Sequence, residues 1–534
     1  MTAPWWKGAV VYQVYPRSFC DSDGDGIGDL PGVLSRLDYI QALGVDAVWL
    51  SPIHPSPNKD FGYDVSDYED VAAQMGGMAA FEALAADMRR RDLKLIMDEV
   101  LAHTSDRHPW FAESLKGDEG TMPDRYVWAE TKDDGGPPNN WLSVFGGSAW
   151  SYHPRRRKHY FHKFLRSQPK LNWRDPATKT AALDVLRYWL KKGVDGFRLD
   201  VANAFLHDEK LRDNPAIPPN LRSKTHWAHA PNMQKRIHDS NLPENRKVLD
   251  EVRAVVEGFE DRFVFGEFSE EPGLIGEFVG HTHGLQSGYT FTFLDDRTFN
   301  PAIFAAYYRF LADRPHVWPC VTFSNHDVMR TVTRYGGGKR DDALAKLALT
   351  LLFSLKGTIL LYQGEELGLG AGDVAMDEVR DPVGELYFPF GSGRDPERTP
   401  MPWIADAPNA GFTTGKPWLP VDPVHAQMAA NVQEGDPDSV LAFARATIAA
   451  RREMPALITG DIEILEASDQ ILAFRRFTPE QSVLCVFNLS REPAVYALPK
   501  QISVSPFEFG PGGWGFGGGG LSLKPLSAFI GQLG

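Results

Sequence analysis

Gly193-Val194-Asp195-Gly196-Phe197-Arg198-Leu199-Asp200 is the stretch from which the fold is read. It reads as a helix end, a short turn, and a strand whose tip carries Arg198 and Asp200. Residues two apart on a strand project to the same side, so the guanidinium and the carboxylate leave the tip together. A neighbouring cation favours the charged form of a carboxylate, so Arg198 is expected to keep Asp200 ionised and aimed. Two further stretches have the same character: Phe263-Val264-Phe265-Gly266-Glu267 and Val321-Thr322-Phe323-Ser324-Asn325-His326-Asp327. Three carboxylates on three strand ends point to one active site at one end of a barrel.

Working outward, strand-like apolar runs fall at 9–15, 47–51, 93–97, 196–199, 263–265, 289–294, 321–323 and 358–362. Segments of helical periodicity lie between them, among them 79–91, 178–191 and 341–355. Eight alternating strands and helices predict an α/β fold, a (β/α)8 TIM barrel. An open doubly wound sheet is the competing arrangement. No Gly-x-Gly-x-x-Gly opens a helix after a strand, so nucleotide binding has no support. The barrel is expected over 1–103 and 175–454. Two connections exceed an ordinary βα loop. One is an inserted subdomain at 104–174, rich in Pro, Gly, Trp and basic residues. The other is an irregular insertion at about 368–424. Short strands from 455 to 534 predict a C-terminal antiparallel β-sandwich. Within it, the glycine-rich 510–520 reads as a long turn.

At 534 residues the chain exceeds one ordinary core, so two or three domains are expected. Fourteen Trp and 32 Phe suit a ligand with flat apolar faces, such as a sugar, although core filling accounts for most aromatic residues. The net charge of −14 lacks the basic face that nucleic acid requires, and offers no attraction to anionic lipid. The opening residues show no charged region followed by an apolar run, so no signal peptide is expected. No stretch has the length of a membrane span. Cys20, Cys320 and Cys485 are scattered without metal spacing, which suggests reduced thiols and a cytoplasmic location. Monomer and homodimer both stay open.

These motifs, in this order, resemble the α-amylase superfamily of glycoside hydrolases (family thirteen), and within it the bacterial α-glucosidases and oligo-glucosidases. The stretch 98–103 is similar to that family's first conserved region, and 196–200, 265–267 and 323–327 to the second, third and fourth. Gln168-Pro169-Lys170-Leu171-Asn172-Trp173 resembles the fifth. The run from Gly393 to Trp403 resembles a signature of exo-acting members. There are two departures. Ala102 stands where the family has Asn, which removes an amide that braces the site. Phe268 follows Glu267 in a variant of the third motif.

The resemblance implies a retaining mechanism, which needs two carboxyl groups about 5 Å apart. Asp200 would be the nucleophile. Glu267, rather than the nearby Glu270 or Glu271, would be the acid/base, its pKa raised by apolar company. Asp327 would be the third acid, gripping sugar hydroxyls. His103 and His326 would bond sugar hydroxyls, and Asp60 and Arg394 would hold the non-reducing end. Tyr63 would stack beneath the ring, while Phe145, Phe164 and Gln168 would line the pocket wall.

A second motif, Asp21-Ser22-Asp23-Gly24-Asp25-Gly26-Ile27-Gly28-Asp29, alternates carboxylates with glycine turns, as a site for a hard cation does. It is similar to the first half of an EF-hand loop, yet Gly32 stands at the twelfth position. Its spacing resembles the metal loop of oligo-glucosidases. That resemblance implies structural calcium or magnesium held by Asp21, Asp23, Asp25 and Asp29 and the carbonyl of Ile27. No organic cofactor is implied.

The expected activity is release of glucose from the non-reducing end of short α-glucosides such as maltose. Two alternatives use the same machinery. One is glucosyl transfer or isomerisation, as in a sucrose isomerase or a trehalose-forming enzyme; the other is an α-1,6-specific oligo-glucosidase. Val201 is the residue type of α-1,6-cleaving members, whereas Asn203 and His207-Asp208 resemble a subgroup preferring α-1,4 bonds, and the reading takes α-1,4. A non-catalytic relative, like the heavy-chain subunits of amino-acid transporters, would carry a membrane span and lack the acids.

Overall fold

Eight parallel strands form a nearly closed barrel in the computed structural model, which describes residues 3–221, 233–268, 273–295, 297–388, 391, 393–498, 503–507, 509–517 and 520–534. They are β1 (Val10–Val14), β2 (Ala47–Leu50), β3 (Lys94–Glu99), β4 (Gly196–Leu199), β5 (Phe263–Phe268), β6 (Ser287–Thr290), β7 (Cys320–Val321) and β8 (Thr358–Tyr362). The sheet order is β7-β8-β1-β2-β3-β4-β5-β6. No ladder joins β6 to β7 among the described residues. There the Ser287 hydroxyl bonds the Trp318 carbonyl at 2.8 Å and lies 3.2 Å from Cys320 Sγ. Helices follow several strands, including Gly77–Arg90, Pro176–Lys191, Asn245–Glu257 and Asp342–Ser354. Pro176–Lys191 starts where its sequence says it should. Asp175 caps it by accepting from Thr178 N at 2.8 Å, and proline occupies the first turn.

All eight expected strands are present, 196–199 and 358–362 with the expected ends and the others with shifted ones. The sixth is shorter than 289–294, because Phe291–Phe293 turns into a 3-10 helix. The barrel interior is read off the two-residue period. Val11, Trp49, Ile96, Phe263, Phe265, Tyr289 and Leu360 form one buried apolar cluster in its lower part. Two residues further along the same faces of β3 and β5 come Asp98 and Glu267, and Arg198 and Asp200 stand at the tip of β4 between them. The apolar plug thus ends where the charges begin.

A three-stranded sheet of Trp128–Ala129, Lys158–Phe161 and Trp150–His153 occupies the segment after β3. The expectation of only two long connections needs correction, because a third leads from β4 to the helix at Asn245. It leans on the segment after β3: Trp141 Nε1 donates to the Arg212 carbonyl at 2.9 Å, and Asn139 Nδ2 to that of Leu211 at 3.0 Å. Its mixed composition has no long periodic run to separate it from a helix approach.

The C-terminal strands form two antiparallel sheets. Asp461–Ala467, Ile471–Phe477, Ser482–Asn488, Ser527–Leu533 and Val504–Pro506 make one; Ala494–Ala497, Gly520–Leu523 and Trp514–Gly517 make the other. Ile471, Leu484, Tyr496, Leu521 and Phe529 fill the space between them. The long turn expected over 510–520 is therefore partly a strand. Trp514 and Phe516, two residues apart, both pack on Phe529, a period-two signal that the surrounding glycines hide.

Candidate active site

Arg198 is the hub of the strand tips and is fully buried. Its Nη1 donates to Asp98 Oδ1 and to Asp200 Oδ1, both at 2.8 Å, and its Nη2 lies 2.9 Å from Glu267 Oε1. Tyr289 Oη accepts from Nη2 at 3.0 Å and donates to Glu267 Oε1 at 3.2 Å. The ladder explains the gathering: Asp98 pairs in register with Arg198, and Glu267 with Tyr289. Three carboxylates share one guanidinium. Burial pushes Asp98 up to about 6 and Asp200 well above the usual carboxylate range, with Arg198 opposing and the charge of Glu267 adding. Arg198 acts on Asp200 in the expected, lowering direction, and burial works against it. Glu267 does not sit in purely apolar company either. Besides Arg198 and Tyr289, the backbone N–H of Val201 donates to its Oε2 at 3.2 Å. Val201 makes that bond from a left-handed conformation, φ 44°, which a β-branched residue rarely adopts. Glu270 and Glu271 lie outside the described residues.

Asp327 faces a second cationic group. Its Oδ1 accepts from Arg398 Nη2 at 2.6 Å and from Arg394 Nη1 at 3.2 Å. Against burial, Arg394 and Arg398 hold Asp327 well below the usual carboxylate range. Burial pushes His326 down to about 3, which leaves a neutral ring. Gln13 Nε2 lies 2.8 Å from its Nδ1, so Nδ1 accepts and Nε2 carries the proton. That Nε2 is 2.5 Å from Tyr63 Oη and 3.4 Å from Asp327 Oδ2.

The remaining sequence-derived residues gather around these acids. Tyr63 stacks on His326, centroids 5.2 Å apart, and donates to Asp98 Oδ2 at 3.0 Å. Asp60 Oδ1 meets Arg394 Nη2 at 2.8 Å, and its Oδ2 meets Gln168 Nε2 at 2.9 Å. His103 Nε2 lies 2.9 Å from the Tyr63 carbonyl, and burial takes its pKa down to about 4. Phe164 is half-buried between His103 and Phe145, at 5.3 and 5.6 Å. The Arg394 guanidinium lies over Phe145 at 5.0 Å.

Sequence reasoning missed four contributors. Asp98 and Arg398 stand inside quoted motifs and were readable there. Tyr289 was findable by strand alternation. Asp381 gave no signal. It lies in an irregular stretch, fully buried, and accepts from Arg394 Nε at 3.0 Å and Nη2 at 2.6 Å.

The acidic loop lies on the β1 side. Asp21, Asp23 and Asp29 each bring one oxygen within 4.8 Å of the others, a charged, all-oxygen set that fits a hard divalent cation. Asp25 stands outside this trio, its Oδ1 accepting from Ile27 N at 2.7 Å. The loop packs backbone to backbone on 412–418: Asp21 N donates to the Phe412 carbonyl and Trp418 N to that of Gly26, both at 3.0 Å. No helix among the described residues is long and apolar enough to cross a membrane.

Comparison with known proteins adds the following. The profile of the family described as "Alpha amylase, catalytic domain" matches residues 13–460. A probable alpha-glucosidase of Rhizobium meliloti (strain 1021) is 47% identical over 502 residues, 93% of this chain and 91% of its own. The crystal structure of XgtA, an alpha-glucosyl transfer enzyme, matches with a TM-score of 0.97 and 44% identity, covering 100% of both chains. The trehalulose synthase MutB from Pseudomonas mesoacidophila MX-45 matches with a TM-score of 0.89 and 32% identity, again over 100% of both chains.

Proposed function

The chain belongs to the alpha-amylase family of catalytic domains, and from that premise we propose that it is a retaining α-glucosyl-transferring enzyme acting on small α-glucosides. Asp200 attacks the anomeric carbon and forms a glucosyl-enzyme ester, while Glu267 gives its proton to the departing oxygen. The Glu267 carboxylate then takes the proton of an acceptor hydroxyl, whose oxygen displaces Asp200. Two inversions give net retention. The observation that carries this reading is the pairing of Asp200 and Glu267 on two nitrogens of one guanidinium. Holding both carboxylates on one guanidinium supports the two-step retaining route.

Asp327 holds ring hydroxyls as the anomeric centre becomes positive. Asp60 and Arg394 close the pocket beyond the non-reducing end, Tyr63 forms its floor, and Phe145, Phe164 and Gln168 its wall. His103 and His326, both neutral, donate to hydroxyls or to the residues that hold them. A closed end makes the enzyme act on terminal glucosyl units.

The sequence alone placed hydrolysis ahead of transfer. The full-length likeness to an alpha-glucosyl transfer enzyme and to a trehalulose synthase supports the reverse order, with water as the competing acceptor. The α-1,4 preference rests on Asn203 and His207-Asp208 against Val201. Calcium or magnesium at Asp21, Asp23 and Asp29 would hold the loop in shape. A cytoplasmic location is in keeping with three unpaired, buried cysteines.

The test is a product balance on concentrated maltose, isomaltose and sucrose, comparing free glucose with newly linked glucosides. The expected result is more transfer product than hydrolysis product, with maltose turned over faster than isomaltose. Free glucose as the main product at every concentration would return the reading to hydrolysis.

A further inference from the structure

Phe61 lies between Asp60 and Tyr63, and its ring packs on Trp418 and under Arg17 of the connection after β1. Residues 60–63 form a turn in which Tyr63 N donates to the Asp60 carbonyl at 3.0 Å. This one turn therefore carries both the end wall, Asp60, and the floor, Tyr63. Phe61 holds φ 48° and Gly62 φ 107°. A left-handed phenylalanine is uncommon and persists only where its surroundings fix it.

The surroundings are specific. The Phe61 ring meets the Trp418 ring at 5.1 Å. The Arg17 guanidinium lies over both rings, 5.5 Å from Phe61 and 5.3 Å from Trp418. Arg398, the partner of Asp327, lies 5.9 Å from the Phe61 ring. Arg17 is 5% exposed, and it also reaches the turn's approach by donating to Asn58 Oδ1 at 2.5 Å. Trp418 is anchored in turn: its Nε1 donates to Ser18 Oγ at 3.0 Å and its backbone N to the Gly26 carbonyl at 3.0 Å. Gly26 leaves no room for adjustment, since a Cβ there would sit 1.9 Å from the Lys416 carbonyl. Three separate connections, after β1, β2 and β8, thus converge on one aromatic–guanidinium stack.

We propose that Arg17 and Trp418 are positioning residues that clamp Phe61, and thereby set Asp60 and Tyr63 for the terminal glucosyl ring. Neither residue touches the sugar. Their effect passes through the turn, so it falls on recognition of the terminal ring and leaves the choice between acceptor and water unchanged. The inference rests on the pocket assignment of the preceding section but not on its transfer reading.

The experiment uses the full chain carrying Asp200→Asn, which binds without turnover, and measures glucose affinity by calorimetry. Adding Trp418→Ala should weaken glucose binding about tenfold, and Trp418→Phe, which keeps a ring on Phe61, should restore most of it. Arg17→Lys keeps the charge but loses the plane that covers both rings, and should also weaken binding several-fold. In the active enzyme the same substitutions should raise KM more than they lower kcat, with the ratio of transfer to hydrolysis unchanged. Glucose affinity within twofold of the parent in a folded Trp418→Ala or Arg17→Lys variant would overturn the proposal. So would a change in the transfer ratio with terminal-ring affinity intact. If Trp418→Ala does not fold, Arg17→Lys and Trp418→Phe decide the matter by the same measurement.

Discussion

At the scale of single residues, the centre of this molecule is an imbalance: one guanidinium among three buried carboxylates. Burial makes Asp98 and Asp200 retain a proton more readily than exposed carboxylates would. For Asp98, whose folded pKa is raised to about 6 from 3.8, the folded chain binds more protons than the unfolded chain between those values. Stability from this group is therefore greatest in acid and falls as pH rises through about 4 to 6. Asp98→Asn should flatten that part of the profile. Calorimetric melting at stepped pH should show the wild type losing ground to the variant across that window, and parallel profiles would contradict the assignment. Glu267 is tested by chemistry. Glu267→Gln cannot donate a proton, so turnover of maltose should fall by about 10²–10⁴. An aryl glucoside with a good leaving group should lose much less, and equal losses would argue for a role other than proton donor.

Among elements, the strand period carried most of the information. Arg198 and Asp200, Phe265 and Glu267, and the apolar run beneath them were legible because a strand allows only two directions. The connections were legible only where a motif marked them. Arg394 was visible within Gly393–Trp403, but its partner Asp381 was not, since nothing local in an irregular stretch predicts a buried ion pair thirteen residues away. That pair alters what Arg394 does. Removing Arg394 strands Asp381, whose side chain has no exposure, along with Asp60. Arg394→Ala should thus cost about 3–5 kcal/mol of stability in addition to recognition of the terminal sugar. The double variant Arg394→Ala, Asp381→Asn should recover a good part of that stability without recovering kcat/KM. Urea unfolding and initial rates separate the two, and joint recovery would show that Arg394 acts only as a structural counter-charge.

Taken whole, the molecule depends on segments far apart in sequence meeting at the end of the barrel that carries the acids. The acidic loop after β1 is locked to residues 412–418, with Thr413 donating to Asp21. A cation bound there only in the folded state raises stability by mass action. Chelation should lower the melting temperature by several degrees, and calcium or magnesium should restore it. An unchanged melting curve, with no metal by elemental analysis, would remove the ion from the account. At the other end, the buried Arg476 of the C-terminal sheet donates to the Ser354 carbonyl at 2.6 Å and to that of Gly460 at 2.9 Å, which ties sandwich to barrel.

The unladdered edge between β6 and β7 gives the cylinder a built-in parting line. Elsewhere each strand has its amides committed on both sides, whereas here Ser287, Trp318 and Cys320 hold the wall together by side chains. Breathing of the barrel should begin at this line. Amide protons of residues 287–290 and 320–321 should exchange with deuterium sooner than those of β1 to β4, so Asp200 at the tip of β4 stands on the slow side while Glu267 on β5 lies one strand from the line.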